Sequence, residues 1–299
     1  MPGCLIVGFL PQPSSCLSLL PYRCLSETLL LSVISRLSLA SSFTMKFNLL
    51  LMWSLVGLAA ASPVARRMDK DSEKRNTPLN DFLTILLEYL PPIDGTISAV
   101  TGVLTAFENL VSDLTGVSDT YNQLGGACTK YTVIFARGTS EPGNVGILVG
   151  PPFFYALEAL VGTSSLTIQG VNNYAASVAT YLAGGDPVGS AEMAKEIKAA
   201  YASCPNTKLV VAGYSQGGQL VHNSIALLPA AVAKWISSVV IFGDPDKGQA
   251  IPNVATSKVV VYCGAGDNIC VNGDLILPAH LVYAENAAAA AAFVVAAAA

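Results

Sequence analysis

The chain is 299 residues long, 52% hydrophobic and only 12% charged, which excludes an intrinsically disordered protein. Sixteen Lys and Arg against 20 Asp and Glu give a net charge of −4, with no basic patch or stripe of the kind a nucleic-acid binder needs. Gly 25 and Pro 17 are ordinary counts, so collagen-like and low-complexity classes are excluded as well, and the length allows one or two domains.

Residues 1–44 are rich in Ser and Leu without clear periodicity and read as an upstream extension. From Met45 the chain has a basic start, an apolar run over Leu49–Leu58 and the small residues Ala59-Ala60-Ala61-Ser62-Pro63, the layout of a secretory signal peptide over 45–61. The run is shorter than the ~20 apolar residues of a membrane span. Translation is therefore expected to begin at Met45, the alternative being a longer leader or a signal anchor. Residues 62–76 carry the dibasic pair Arg66-Arg67 and read as a propeptide or a flexible charged segment. From Met68 onward there are 11 basic and 19 acidic residues, a net charge of −8.

Seven cysteines are an awkward odd number in an oxidising compartment, but Cys4, Cys16 and Cys24 precede Met45. Removing them leaves Cys128, Cys204, Cys263 and Cys270, an even set that suggests two disulfides among three pairings. No Asn-x-Ser/Thr sequon is present.

Apolar residues at 79, 82, 83, 86, 87 and 90 recur with a helical period, and Pro91-Pro92 ends that helix. A weaker amphipathic stretch covers about 97–111, and Gly125-Gly126 breaks the chain. Short apolar runs at Tyr131–Ala136, Leu166–Val171, Lys208–Gly213, Ser237–Phe242 and Lys258–Tyr262 predict strands, and 189–203 and 216–228 predict helices between them. Continuous apolar strands alternating with helices predict an α/β fold, a parallel sheet covered on both faces. The expected organisation is a helical segment over 77–127 followed by a catalytic domain over 128–299. The Ala-rich end, 287–299, reads as a final helix, because it lacks the polar spacer of a lipid-anchor signal.

The chemistry is concentrated at Gly213-Tyr214-Ser215-Gln216-Gly217, which joins a predicted strand to a predicted helix. A G-x-S-x-G in that context is a sharp turn that exposes the Ser hydroxyl, with glycines giving clearance and the helix N-terminus offering N–H groups to an oxyanion. A serine nucleophile needs a general base. His222 is seven residues on, ~10 Å along the helix and out of reach, so it reads as a core or helix-surface residue. His280 lies downstream, in the chain order Ser, acid, His. Asp267, between Cys263 and Cys270, is the preferred acid; Asp244 is second and Asp246 third, both following a strand end. Asp274 beside Gly273 reads as a solvated turn residue.

Together with Ala136-Arg137-Gly138-Thr139-Ser140-Glu141-Pro142-Gly143-Asn144, Gly266-Asp267-Asn268-Ile269-Cys270 and Pro278-Ala279-His280-Leu281, that pentapeptide resembles the fungal cutinases over roughly 125–285. The resemblance implies an α/β-hydrolase, a three-layer sandwich, with Ser215, Asp267 and His280 as triad and bridges Cys128–Cys204 and Cys263–Cys270. It also implies an oxyanion hole made by the Thr139 hydroxyl and N–H with the N–H of Gln216. Many members have Ser where Thr139 stands, and the smallest have a shorter form of 77–127.

The reading is a secreted, extracellular serine esterase acting through an acyl-enzyme on a lipid polyester such as cutin or on small esters. It implies no metal or organic cofactor, no nucleic-acid partner and no stable membrane insertion, and a monomer is expected. Ile276 and Leu281, flanking His280, are candidates for the acyl site, with loop packing as the equal alternative. An acetylxylan esterase and a non-catalytic secreted surface or effector protein are the rival functions. The apolar face of the 79–90 helix is expected to pack on the back of the sheet, or else to cover the Ser215 site as a lid.

Overall fold

The computed structural model describes residues 77–299; the expected signal peptide, the extension before it and the segment 62–76 lie outside the described residues. Five strands make the central sheet: β2 (Tyr131–Ala136), β3 (Leu166–Gly170), β4 (Lys208–Tyr214), β5 (Ser238–Phe242) and β6 (Val259–Tyr262). Their order is β3-β2-β4-β5-β6, and every neighbouring pair is parallel. All residues of β2, β3 and β5 are buried, which explains why these strands read as unbroken apolar runs rather than as alternating ones.

Alternation is nevertheless present in where the side chains go. Val133, Phe135, Val210, Ala212, Val240 and Phe242 enter one core, while Ile134, Leu209, Val211, Val239 and Ile241 enter the other. The second core is covered by α5 (Pro187–Ser203), α6 (Gln216–Ala226) and α7 (Ala230–Trp235). The first is covered by α3 (Gly150–Val161) and α9 (Ala287–Ala297), which pack on each other. The three-layer α/β arrangement is the one expected.

Helix α3 has no counterpart in the sequence reading. Its first turn contains Pro151 and Pro152, which signal a break but are tolerated there because first-turn N–H donors have no carbonyl acceptor within the helix. The other helical elements are α1 (Thr77–Glu88), α2 (Ile97–Thr115), α4 (Val178–Leu182) and α8 (Pro278–Leu281). A two-residue strand, β1 (Gly95–Thr96), pairs antiparallel with β7 (Leu275–Ile276).

The 77–127 segment is part of the first core. Phe82, Leu86, Ile93, Ile97, Leu104, Val111 and Val117 are each at most 9% exposed, and Phe82 packs edge-on against Tyr155 of α3. The segment also reaches the surroundings of His280 through β1–β7, and the Thr139 loop through Thr105 Oγ1, which donates to the Ser140 carbonyl at 3.0 Å. A chain starting near Gly125 would therefore uncover seven buried apolar side chains, a loss of roughly 10 kcal/mol or more. That equals or exceeds the whole stability of a typical domain. Such a truncation is expected to be insoluble or to lack the far-UV circular dichroism of a folded α/β protein; a soluble, cooperatively melting product would contradict this account.

Candidate active site

Ser215 sits between β4 and α6 at φ 55°, ψ −122°, a conformation that costs a non-glycine residue of order 1–3 kcal/mol. Its neighbours make the turn feasible. A Cβ on Gly213 would come within 2.3 Å of the Gly217 carbonyl, and one on Gly217 within 2.0 Å of the Ala136 carbonyl. Any side chain at either place would push the strand and helix apart. The Ser215 N–H donates to the Phe242 carbonyl at 2.9 Å, which ties the turn to the end of β5.

Asp267 and His280 lie on loops beyond the carboxyl ends of the strands, where sites of open α/β sheets form. His280 Nδ1 donates to Asp267 Oδ2 at 2.8 Å, and both residues are buried. His280 Nε2 is buried without a partner among the described residues. Asp267 Oδ2 also accepts the Tyr283 hydroxyl at 2.5 Å, and Oδ1 accepts the Ile269 N–H at 2.9 Å. Burial alone pushes the Asp267 carboxyl up, but the hydrogen bonds and the charge of His280, with those of Tyr283 and Ile269, outweigh it and hold the pKa below the ordinary value. The Tyr214 ring stacks on the imidazole with centroids 5.0 Å apart, and its hydroxyl donates to the His280 carbonyl at 2.9 Å.

Thr139 and Gln216 are joined directly. Gln216 Nε2 donates to Thr139 Oγ1 at 3.0 Å and to the Ser177 carbonyl at 2.8 Å, while Gln216 Oε1 accepts the Thr180 hydroxyl at 3.0 Å. As an acceptor from Gln216, the Thr139 oxygen keeps its own proton free to donate elsewhere. Gln216 opens α6, so its backbone N–H has no partner within the helix.

The Arg137–Asn144 motif builds the loop that carries Thr139. The Glu141 carboxylate accepts the N–H groups of Gly138, Ile147 and Leu148 at 2.7, 3.1 and 3.0 Å. Arg137 Nε donates to the Glu141 carbonyl at 2.7 Å. Asn144 bonds both N–H and C=O of Tyr121. Glu108 of α2 is 1% exposed near this loop, and burial, then the charge of Glu141, raises its pKa well above 4.5. A carboxyl with a raised native pKa is protonated in the fold and costs stability as pH rises past its unfolded value. Glu108→Gln is therefore expected to leave the melting temperature at pH 4 nearly unchanged and to reduce its fall between pH 5 and pH 8. Thermal melts across that range check this, and an equal fall in both proteins would refute it.

Of the residues singled out by sequence, the structure brings Ser215, Gln216 and Thr139 together on one side and Asp267 with His280 on another. Asp244 does not reach His280; its Oδ2 bonds His222 Nε2 at 3.1 Å, so His222 is a buried, paired residue of α6. Asp246 follows it, half-buried, and Asp274 is exposed, as expected for a turn residue. Ile276 and Leu281 are 3% and 2% exposed in the same core as Phe153 and Phe242, so both take part in the packing that is the equal alternative to an acyl-site role. Leu275, one residue earlier on β7, is the exposed apolar side chain, because successive strand residues face opposite ways. Tyr214, Tyr283 and Thr180 carry no sequence signal of their own: Tyr214 stands inside the pentapeptide and Tyr283 three residues after His280, and only the folded chain shows their partners.

The cysteines pair as Cys128–Cys204 and Cys263–Cys270. The first closes a loop of 76 residues and is worth roughly 4 kcal/mol by the chain-entropy account; the second closes one of 7 and is worth roughly 2. Replacing the first pair by Ser should lower the melting temperature more. Replacing the second should lower kcat more, because it frees the loop that carries Asp267. Thermal melts and kinetics on the two double variants test both orders.

A family model described as Cutinase matches residues 127–298. The chain is 47% identical over 241 residues to cutinase cut1 of Trichoderma harzianum, covering 80% of this chain and 94% of that protein. It is 55% identical over 168 residues to a cutinase of Botryotinia fuckeliana, covering 56% of this chain and 83% of that one. Among solved structures it is similar to Trichoderma reesei cutinase in complex with a C11Y4 phosphonate inhibitor: TM-score 0.63, 42% identity, 80% of this chain and 100% of that chain.

Proposed function

The chain belongs to the cutinase family, and on that premise we propose that Ser215, His280 and Asp267 are the triad with which it hydrolyses the ester bonds of a cutin-type lipid polyester outside the cell. It is a carboxylic ester hydrolase of the serine type. The observations that carry the residue assignment are the strained Ser215 turn and a buried His280–Asp267 pair whose Nε2 has no partner among the described residues.

The chemistry follows from the donors and acceptors. Ser215 Oγ attacks the ester carbonyl carbon while its proton passes to His280 Nε2. Negative charge moves to the carbonyl oxygen, which accepts the Gln216 N–H and the Thr139 hydroxyl that Gln216 Nε2 has oriented. The tetrahedral adduct collapses, the bond to the alkoxy oxygen breaks, and the alcohol leaves with the proton from His280. Water, deprotonated by the same imidazole, then attacks the acyl-enzyme and releases the acid. Asp267 fixes Nδ1 as the protonated nitrogen throughout, and its lowered pKa keeps it an anion facing the developing imidazolium.

Apolar side chains stand exposed on the segments that flank the pair: Leu182 on α4 (60% exposed), Val271 between Asp267 and His280 (75%) and Leu275 on β7 (37%). Such a rim favours an aliphatic chain over a sugar. Ser215 itself is 3% exposed, and the Tyr181 hydroxyl of α4 donates to the Gly273 carbonyl of the facing loop. Among the described residues no helix is long and apolar enough to cross a membrane. Secretion through the 45–61 segment and a monomeric state complete the proposal. A panel of acetyl to long-chain p-nitrophenyl esters, with cutin and acetylated xylan, tests it. Preference for longer acyl chains and release of cutin monomers is expected, and activity confined to acetyl groups on xylan would replace the substrate assignment.

A further inference from the structure

The second histidine pair lies directly behind the site. His222 is buried two turns along α6 from Ser215, and its Nε2–H donates to Asp244 Oδ2 at 3.1 Å. Asp244 is 1% exposed, and its other oxygen accepts the Asp246 N–H at 3.0 Å. The carboxylate lies against the first turn of α6, since a Cβ on Gly218 would be 3.2 Å from Oδ1.

Three consecutive residues at the end of β5 make contacts that bear on the proposed triad. The Phe242 carbonyl accepts the Ser215 N–H at 2.9 Å. The Gly243 backbone, at φ 57°, lies against the imidazole: a Cβ there would come within 2.7 Å of His280 Cε1 and 2.9 Å of Nδ1. Asp244 holds His222. We infer that the His222–Asp244 pair is a positioning device for ester hydrolysis. It locks the end of β5 to the nucleophile helix, so that the Gly243 backbone seats His280 at a fixed distance from Ser215. The inference rests on the triad assignment above. A buried, hydrogen-bonded polar pair seldom stabilises a fold more than an apolar pair of similar size does, so stability alone does not account for it. What such a pair adds is direction, and here the direction runs from the helix bearing Ser215 to the corner that supports His280.

The test uses the full-length secreted protein with p-nitrophenyl butyrate, and the downfield proton resonance of the His280 Nδ1–H···Asp267 bond as a spectroscopic readout. His222→Leu and Asp244→Leu remove the pair; His222→Gln and Asp244→Asn keep a hydrogen bond between the two positions. The Leu variants are expected to lose about 10- to 100-fold in kcat through a small displacement of the base. Their KM should stay within about twofold, as an effect on the transition state alone requires. The downfield resonance should shift or broaden, and the Gln and Asn variants should recover most of kcat. If a Leu variant fails to fold, His222→Asn, polar but too short to reach Asp244, carries the same comparison. A lowered melting temperature with unchanged kcat would overturn the inference, as would a kcat loss that leaves the resonance unmoved or that His222→Gln does not recover. Ser215→Ala and Asp267→Asn, run alongside, separate this failure from that of the triad: full activity in those two variants would sink the triad assignment itself.

Discussion

Ser215→Ala is expected to lower kcat by about a million-fold, the size of loss seen when a triad nucleophile is removed. The fold should survive the change. The Ser215 contact that holds the turn is made by its backbone N–H to Phe242, which alanine keeps, and the φ of 55° strains both residues alike. The expected result is thus a protein whose melting temperature stays within a few degrees of the parent, that no fluorophosphonate labels, and that retains only what the oxyanion donors and substrate binding supply. Residual turnover above a few per cent of the parent would mean that another hydroxyl attacks the ester.

How far the sequence leads to this site depends on what kind of signal each part leaves. Strands β2, β4 and β5 are buried on both faces, and such strands can hold little but apolar residues, so they stand out as runs. The Ser215 turn stands out because close backbone approach demands glycine at 213 and 217. Helix α3 is hidden because prolines at its start mimic a break. The β1–β7 pair is hidden because two residues carry no periodicity, and with it goes the link between 77–127 and the approach to His280. The acid could be ranked but not fixed: Asp244 and Asp267 both follow strand ends, and what separates them is a partner remote in sequence, His222 for one and His280 for the other. Ile276 and Leu281 illustrate the same limit. Proximity to His280 along the chain says nothing about which way a side chain faces, and both face the core.

Asp267→Asn is expected to lower kcat by about 10⁴-fold, and the hydrogen bonds around the carboxylate say why. All three of its partners donate: Ile269 N–H to Oδ1, and His280 Nδ1–H and Tyr283 O–H to Oδ2. An asparagine has only one acceptor oxygen. The Ile269 amide cannot turn its proton away, whereas the Tyr283 hydroxyl can rotate and the imidazole can change tautomer. The asparagine oxygen therefore goes to Ile269, and its NH₂ faces His280 Nδ1. That nitrogen must then become an acceptor, which moves the proton to Nε2, the atom that has to take the proton from Ser215. The base is lost while the shape of the site is kept, so kcat should fall and KM should hold. Asp244→Asn should cost little by comparison, because the Asp246 N–H can still bond the side-chain oxygen and the amide can still bond His222 in its other tautomer. His280→Gln should likewise abolish activity where His222→Gln does not. Steady-state kinetics on a soluble p-nitrophenyl ester rank the four variants, and a larger loss in Asp244→Asn than in Asp267→Asn would move the acid to the end of β5.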